Sequence, residues 1–468
     1  MTAQQFVSSN EIRAKFSHAM SDMYQKEVPL YGDLLSLVAE TNRALLSNDA
    51  ALAHQLQITG EIERLVMERH GAVRIGTASE LATLRRLFNV MGMAPVGYYD
   101  LAIAGVPVHS TAFRAIHEHD LQACPFRVFT SLLRLELIEQ PALRQLAEKL
   151  LAHRRIFTDR ALELIALHEA QGGLDRAQAD DFIEQALETF RWHSQATVSS
   201  AEYQQLHDQH RLIADVVAFK GPHINHLTPR TLDIDRVQDC MPQRGITPKA
   251  VIEGPPRRHC PILLRQTSFK ALEEQVAFVE SDGSTLVGHH TARFGEIEQR
   301  GVALTPKGRA LYDRLLQATH DALQAPPSEK NAERYNHLLH KHFQSFPDDY
   351  PAMREQQLAW FRYFPTECGL AAKDSLDKHS TLEALIAQDY IRFQPLVYED
   401  FLPVSAAGIF QSNLGERQHA DYNVTSSRAV FEQALGTEVI DELKLYEQTQ
   451  QRSLHACAQA LGLNALNV

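Results

Sequence analysis

The segment GPHINHLTPR, residues 221–230, places two histidines three positions apart. Imidazole is the commonest metal ligand in proteins, so each of the two is a candidate ligand. If the segment is a strand, its side chains alternate between two faces, and His223 and His226 point in opposite directions. Only one of them can then face a site. The pattern alone leaves both alternatives open.

Two further stretches carry side chains that could complete such a site. His70 opens the predicted strand HGAVRIGT, and Glu296 and Glu298 share one face of a predicted strand in RFGEIEQRG. Two histidines and one carboxylate form the facial arrangement of non-haem Fe(II) oxygenases, which leaves positions open for substrate and dioxygen. Arg74 lies four residues after His70 on the same strand face, about 13 Å away along the backbone. Its guanidinium could bind a substrate carboxylate through two hydrogen bonds.

The composition is that of an acidic globular protein. The 468 residues are 44% hydrophobic and carry a formal charge of -12, which disfavours a nucleic-acid partner because phosphate binding needs clustered Lys and Arg. A small-molecule ligand is therefore expected. The chain lacks the run of about 18 apolar residues that a membrane span needs, and its first residues lack an apolar signal region. We predict no membrane association and a cytoplasmic location. The five cysteines are scattered without CxxC spacing and predict reduced thiols.

The order of the predicted elements indicates a repeated unit. A strand over 70–77 and a helix over 78–92 are followed by three strand candidates, PVGYYDLA, VPVHSTAFRA and PFRVFTSLLRLELI. After a helical, charged stretch the same βαβββ order returns. Its members are a strand in DVVAFKGPHINHLT (215–228), a helix over 235–244, and strands in KAVIEGP, in PILLRQTSFKAL to EQVAFV, and in TARFGEIEQRGVAL. The two units share almost no identity, so the repeat rests on element order alone.

We therefore predict an α+β fold in which two βαβββ modules form a central curved sheet. The whole chain, 1–468, is expected to be one catalytic domain. Its predicted parts are a helical cap at 1–66, a first module at 67–138, a helical insertion at 139–214, a second module at 215–306 and a mostly helical C-terminal region at 307–468.

Several long stretches resemble one known family. They are RHGAVRIGT, GMAPVGYYDL, PVHSTAFR, PFRVFTSLLRLELI, INHLTPR and RFGEIEQRG, with further similarity near LPVSAAGIF. In these stretches the chain is similar to the bacterial 2-oxoadipate dioxygenase/decarboxylase family, also called hydroxyglutarate synthase. That family has a vicinal-oxygen-chelate core built from βαβββ modules, which agrees with the element order.

The resemblance also implies site residues. The iron ligands that it implies are His70, His226 and Glu296. The substrate contacts that it implies are His70, Arg74, Val404 and Ser405. The choice of Glu296 over Glu298 rests on this resemblance, since both share a strand face.

The reaction that the resemblance implies is oxidative decarboxylation of a 2-oxo acid with Fe(II) as cofactor. 2-Oxoadipate and O2 would give 2-hydroxyglutarate and CO2, in lysine catabolism, and Arg74 would hold the distal carboxylate. The oxo acid is its own reductant, so no separate 2-oxoglutarate is needed. Two alternatives stay open. One is a zinc or other divalent-metal lyase or hydrolase that uses the same three ligands with a metal-bound water. The other is a metal-free ligand-binding protein on the same fold.

Overall fold

The structure is a computed structural model that describes residues 6–402 and 424–466. Val404 and Ser405, two of the predicted substrate contacts, lie outside the described residues. The chain divides into two compact units, each built from three separate segments. The first unit comprises Met1–Glu253, Gln266–Gln299 and Phe401–Ile440. The second comprises Gly254–Arg265, Arg300–Asp400 and Asp441–Val468. The single catalytic domain stays a prediction.

The first unit begins with a helical cap. Its helices are α1 (Ser9–Glu27), α2 (Pro29–Asn48), α3 (Ala50–Ile58) and α4 (Glu61–Met67). The Ser8 hydroxyl caps α1 by accepting a hydrogen bond from the Glu11 amide. Proline at the first position of α2 begins that helix, where its missing N–H costs nothing. Buried apolar residues on one side of α1, at Ile12, Phe16 and Met20, recur every four residues and pack into the core.

The first module has the predicted βαβββ order. Its elements are β1 (Arg69–Ile75), α5 (Ala78–Val90), β2 (Ala94–Asp100), β3 (Val108–Arg114), the short helix α6 (Glu118–Ala123) and β4 (Phe126–Leu133). The strands lie in the order β2-β3-β4-β1, with β1 parallel to β4 and the other pairs antiparallel. A capping box between Thr77 and Glu80 begins α5 directly after β1.

The helical stretch after β4 is longer than predicted. It contains α7 (Pro141–His153), α8 (Asp159–Gln171), α9 (Arg176–Glu188), α10 (Ser200–Gln209) and α11 (Arg211–Val217). The predicted strand over 215–228 is therefore wrong in its first part, because residues 215–217 are the last turn of α11. A short apolar run such as DVVAF fits a buried helix turn as well as a buried strand, and periodicity cannot separate the two.

The strand of this segment is only β5 (His226–Pro229). It lies antiparallel to β1 and extends the sheet to β2-β3-β4-β1-β5, with His70 opposite Thr228 and Ala72 opposite His226. His223 precedes the strand. The alternation argument that set His223 against His226 thus does not apply to this pair.

The second module is less regular than the first. After β5 come α12 (Ile234–Cys240), a 3-10 turn over Met241–Arg244, β6 (Leu264–Ser268) and β9 (Glu296–Arg300), which pairs with β6. The predicted strand in KAVIEGP is only two isolated antiparallel bridges to the β6 region, Pro248 to Phe269 and Glu253 to Gln266. A parallel bridge joins Arg230, just after β5, to Glu298. The βαβββ order survives with one strand reduced, and the predicted α+β class is confirmed.

An additional hairpin lies between β6 and β9. Its strands, β7 (Glu274–Val279) and β8 (Thr285–His290), form a separate two-stranded sheet. The sequence analysis predicted β7 and missed β8. Helix α18 (Val424–Leu435) completes the described part of the first unit.

The second unit is mostly helical around one small sheet. Its helices are α13 (Pro306–Leu323), α14 (Ala332–Phe343), α15 (Tyr350–Glu355), α16 (Glu367–Ala372), α17 (Leu382–Ala387) and α19 (Glu442–Leu461). Strands β10 (Phe361–Pro365) and β11 (Ile391–Pro395) form an antiparallel pair that the sequence analysis did not predict. The Gln450 side chain on α19 accepts a hydrogen bond from the Phe361 amide. Every helix within residues 6–402 and 424–466 is too short or too polar to cross a membrane.

Candidate metal centre

Three of the predicted site residues meet in the interior of the first unit. His70, His226 and Glu296 each offer one ligand atom, and these atoms all lie within 4.8 Å of one another. All three side chains are fully buried. Among the described residues they are the one group of three or more His, Cys, Asp or Glu side chains with this spacing.

The β1–β5 pairing brings the two histidines together. His70 pairs with Thr228, so His226 lies two positions further along the neighbouring strand. A spacing of two keeps a residue on the same face of a sheet, which places both imidazoles on one side. Their ring centroids are 5.4 Å apart and the rings are nearly perpendicular. Glu296 begins β9, which reaches β5 through the bridge between Arg230 and Glu298.

One oxygen of Glu296 is held by three neighbours. Its Oε1 lies 3.0 Å from His70 Nε2 and accepts hydrogen bonds from the Thr228 hydroxyl at 3.1 Å and the Gln266 amide at 2.8 Å. These contacts fix the orientation of the carboxylate towards the two imidazoles.

Three other polar atoms of the cluster lack a hydrogen-bond partner among the described residues. Within the described residues, both ring nitrogens of His226 and Oε2 of Glu296 are buried without a hydrogen bond. Buried polar atoms are nearly always hydrogen-bonded, so convergent orphaned atoms call for an explanation. A cation held by two imidazoles and one carboxylate would supply the missing partner. This donor set suits Fe(II) and Zn(II), and the residues present therefore fit a metal.

The electrostatics keep His226 in the form that binds a metal. Burial, the neighbouring His70 and the charge of Arg74 together hold the pKa of His226 well below its usual value. A neutral imidazole has a free lone pair, which a metal requires. Burial also lowers the pKa of His70, but Glu298 and Glu296 outweigh it, so the pKa of His70 is raised. Burial raises the pKa of Glu296 against the opposing effect of His70.

The two glutamates of β9 contact opposite nitrogens of His70. Glu296 lies at Nε2, whereas Glu298 Oε2 lies 2.7 Å from Nδ1. Metal-ligating histidines usually donate their second ring nitrogen to a carboxylate or carbonyl, which fixes the ring. The sequence pattern could not separate the two glutamates because both share a face, but the structure gives them different places.

Arg74 lies at the far end of β1 and is already engaged by a carboxylate. Its Nη1 donates to Asp215 Oδ2 at 2.7 Å, and both side chains are nearly buried. The other oxygen of Asp215 accepts from His290 Nε2 at 2.9 Å and lies 3.2 Å from His223 Nε2. Burial alone would raise the pKa of Asp215, but His223, His290 and Arg74 hold it well below its ordinary value.

His223 belongs to this second cluster and not to the first. It packs against Trp192, with ring centroids 4.7 Å apart. The sequence analysis missed Asp215 and His290. No signal marked Asp215, because its segment was taken for a strand, and His290 lies on the unpredicted strand β8.

Aromatic rings surround the histidine pair. Phe401 packs edge-on against His70 at 5.0 Å and against Phe129 at 5.3 Å, and Phe294 lies 4.9 Å from His226. All are buried within the first unit. This apolar lining lowers the local dielectric and limits the access of water to the cluster.

Comparison with known proteins finds relatives along most of the chain. The family model for 2-oxoadipate dioxygenase/decarboxylase matches residues 16–413. A curated 2-oxoadipate dioxygenase/decarboxylase from Pseudomonas putida is 65% identical over 466 residues, which cover 100% of both chains. One from Escherichia coli is 56% identical over 451 residues, covering 96% of this chain and 98% of the relative.

A solved structure extends the similarity to three dimensions. The crystal structure of hydroxyglutarate synthase from Pseudomonas putida in complex with 2-oxoadipate has 64% sequence identity and a TM-score of 0.91, and covers 98% of this chain and 100% of that one. The family model and the curated relatives span nearly all of the sequence, including each of the three converging residues. The chain belongs to the 2-oxoadipate dioxygenase/decarboxylase family.

Proposed function

We propose that this protein is an Fe(II)-dependent dioxygenase and decarboxylase that converts 2-oxoadipate and O2 to 2-hydroxyglutarate and CO2. The observation that carries the proposal is the buried cluster of two histidines and one glutamate with orphaned ligand atoms. A relative with 64% identity was crystallised with 2-oxoadipate, which supports the substrate. The cytoplasmic location and the role in lysine catabolism stay predictions from the sequence.

His70, His226 and Glu296 would hold the metal. When bound, Fe(II) supplies coordination sites for a 2-oxo acid and dioxygen and the electrons that activate oxygen. The chain's own part is to present two imidazole rings and one carboxylate at one place. Thr228 and Gln266 keep the carboxylate aimed at the histidines through their hydrogen bonds to Glu296.

The reaction balances without a further reductant. The bond between the 2-oxo carbon and its carboxyl group breaks, and CO2 leaves. One oxygen atom from O2 joins the former keto carbon to form a new carboxylate, and the other becomes the hydroxyl group of the shortened chain. The four electrons that reduce O2 come from the substrate, two from the oxidative decarboxylation and two from the C–H bond that breaks, and the hydrogen of that bond stays on the new hydroxyl group.

Arg74 would bind the distal carboxylate of the substrate. It extends from the same strand as His70, and Asp215 fixes the orientation of its guanidinium. A guanidinium matches a carboxylate through two parallel hydrogen bonds. His70 is also a proposed substrate contact. Val404 and Ser405 stay predicted contacts outside the described residues.

The apolar rings keep bulk water from the reacting centre. Phe401, Phe129 and Phe294 are buried around the histidines. Excluding water protects reactive species from side reactions and strengthens polar contacts inside the site. This role needs only the packing of the three rings.

An oxygen electrode tests the proposal. Metal-free protein is reconstituted anaerobically with Fe(II) or Zn(II), and oxygen uptake is followed after adding 2-oxoadipate. We expect uptake only with Fe(II), equimolar with CO2 release, and no requirement for 2-oxoglutarate. Turnover by the Zn(II) form under argon would instead establish a lyase or hydrolase.

A further inference from the structure

Arg211 lies close to the Arg74–Asp215 ion pair. It is the first residue of α11, and Asp215 lies four positions later, on the same side of the helix. Since Asp215 binds Arg74 at 2.7 Å, Arg211 begins one helical turn before the residue that holds the Arg74 guanidinium. The Arg211 side chain is exposed to solvent. Even so, desolvation by surrounding protein and the charge of Arg74 lower its pKa.

The Arg211 guanidinium has no ion-pair partner among the residues that the structure describes, and the charge of Asp215 partly opposes the lowering of its pKa. Within residues 6–402 and 424–466 no carboxylate forms an ion pair with its guanidinium, and no oxygen accepts a hydrogen bond from it. Asp215, the nearest acidic group along the helix, is instead shared by Arg74, His223 and His290. The acidic residue of α11 is therefore already engaged by other partners.

Lys249 is a second cation, and the charge of Arg211 acts on it. Lys249 is half-buried, and burial followed by the charge of Arg211 lowers its pKa, against the opposing effect of Glu253. Lys249 thus adds positive charge near Arg211, which Glu253 offsets in part. Like charges at close range destabilise one another unless an anion lies between them. A dicarboxylic substrate brings such an anion.

We propose that Arg211 is a specificity-determining residue that binds the distal carboxylate of the substrate together with Arg74. The inference rests on the proposed function and deepens it. Arg74 is partly committed to Asp215, so a second guanidinium can contact the oxygen that Arg74 does not hold. Two guanidinium groups on one carboxylate distinguish a diacid from a monoacid more strongly than one. The sequence analysis placed Arg211 in the helical insertion and Asp215 in a strand, so it did not relate Arg211 to Arg74.

The test compares a diacid with a monoacid of equal length. The kcat/KM values for 2-oxoadipate and 2-oxohexanoate are measured for Fe(II)-loaded wild type, Arg211→Ala, Arg211→Lys and Arg236→Ala. Arg236 is an exposed arginine on α12 and serves as the matched control. We expect Arg211→Ala to reduce the preference for the diacid by roughly 10- to 100-fold, the range of a charged hydrogen-bonded contact. Arg211→Lys should recover part of it, and Arg236→Ala should match wild type.

The ratio of the two substrates separates recognition from folding. A loss of structure lowers both rates together, whereas loss of the carboxylate contact lowers only the rate with 2-oxoadipate. Circular dichroism and anaerobic calorimetric titration with 2-oxoadipate accompany the kinetics. If Arg211→Ala keeps the full preference, or loses both activities equally while folded, the inference is wrong. Wild type that turns over neither acid would contradict the proposed function itself.

Discussion

His70 and Glu296 are 226 positions apart in the sequence, yet their side chains lie 3.0 Å apart. Because three ligands leave little redundancy, we expect His70→Ala, His226→Ala or Glu296→Ala to lose most of the bound metal and the activity. Metal content after anaerobic reconstitution with Fe(II) checks this. His223→Ala is the matched control, since His223 contacts Asp215 and not the cluster. Metal loss in the His223 variant with retention in the His226 variant would reverse the assignment.

Glu298 orients His70 without being one of the three converging ligands. Its Oε2 lies 2.7 Å from Nδ1, the nitrogen opposite to Glu296. We predict that Glu298→Gln weakens metal affinity by about 10- to 100-fold while leaving a competent site, as substitution of such outer carboxylates does. Competition with a coloured chelator measures the affinity. Glu273→Gln, at an exposed position of the same unit, should leave it unchanged. Equal affinity in all three proteins would show that Glu298 has no part in the site.

Residue types predicted part of this cluster. A histidine on the first strand and a glutamate on a later strand could be named from alternation and chemistry alone. The choice of His226 over His223, and of Glu296 over Glu298, came from the family resemblance. Pattern could not make either choice, because His223 lies outside the strand and the two glutamates share one face. Arg211 and Asp215 were missed because only their helix brings them to Arg74.

The close approach of β1 to the chain before β5 depends on a glycine. A Cβ on Gly71 would lie 2.6 Å from Ile224 Cδ1. We expect Gly71→Ala to lower the free energy of unfolding by about 1–3 kcal/mol through overpacking. Ile224→Val removes that methyl group, so the double variant should be more stable than the sum of the single effects predicts. Urea unfolding of the four proteins measures the coupling. Strictly additive effects would show that the added methyl group at position 71 does not clash with Ile224.

A buried charge network ties the helical cap to the sheet. Glu68, between α4 and β1, lies 3.3 Å from Arg64, 2.8 Å from Arg127 and 2.9 Å from Arg230. Removing it leaves buried cations uncompensated, so we predict that Glu68→Ala costs about 3–5 kcal/mol of unfolding free energy. Glu63→Ala, an exposed position on α4, should change it by less than about 0.5 kcal/mol. Chemical denaturation measures both, and a Glu68 variant as stable as the Glu63 variant would contradict this role.

Elements with strong local signals were predicted well. Helix α5, with its capping box, and the four strands of the first module follow the sequence pattern. The second module was harder because the apolar run over 216–219 fits a strand as well as a helix, and its first two residues end α11. The segment KAVIEGP was predicted as a full strand, but it forms only isolated bridges to the β6 region. Hairpin β7–β8 lies apart from the sheet that the module was expected to form.

The chain as a whole folds into two compact units, of which the first carries all the described site residues. The sequence could not reveal this division. Each unit is assembled from three separate segments, so no single linker of distinctive composition marks a boundary. Composition and charge did indicate a globular protein with a small-molecule ligand.

In the proposed reaction both oxygen atoms of O2 enter 2-hydroxyglutarate and neither enters CO2. Fe(II)-loaded protein is given 2-oxoadipate under isotopically heavy O2, and the oxygen label in 2-hydroxyglutarate and CO2 is read by mass spectrometry. We predict a 2-hydroxyglutarate with two heavy oxygen atoms, one in the new carboxylate and one in the hydroxyl group, and CO2 without label. A product whose new oxygens come from labelled water and none from O2 would contradict the account and favour a metal-activated water.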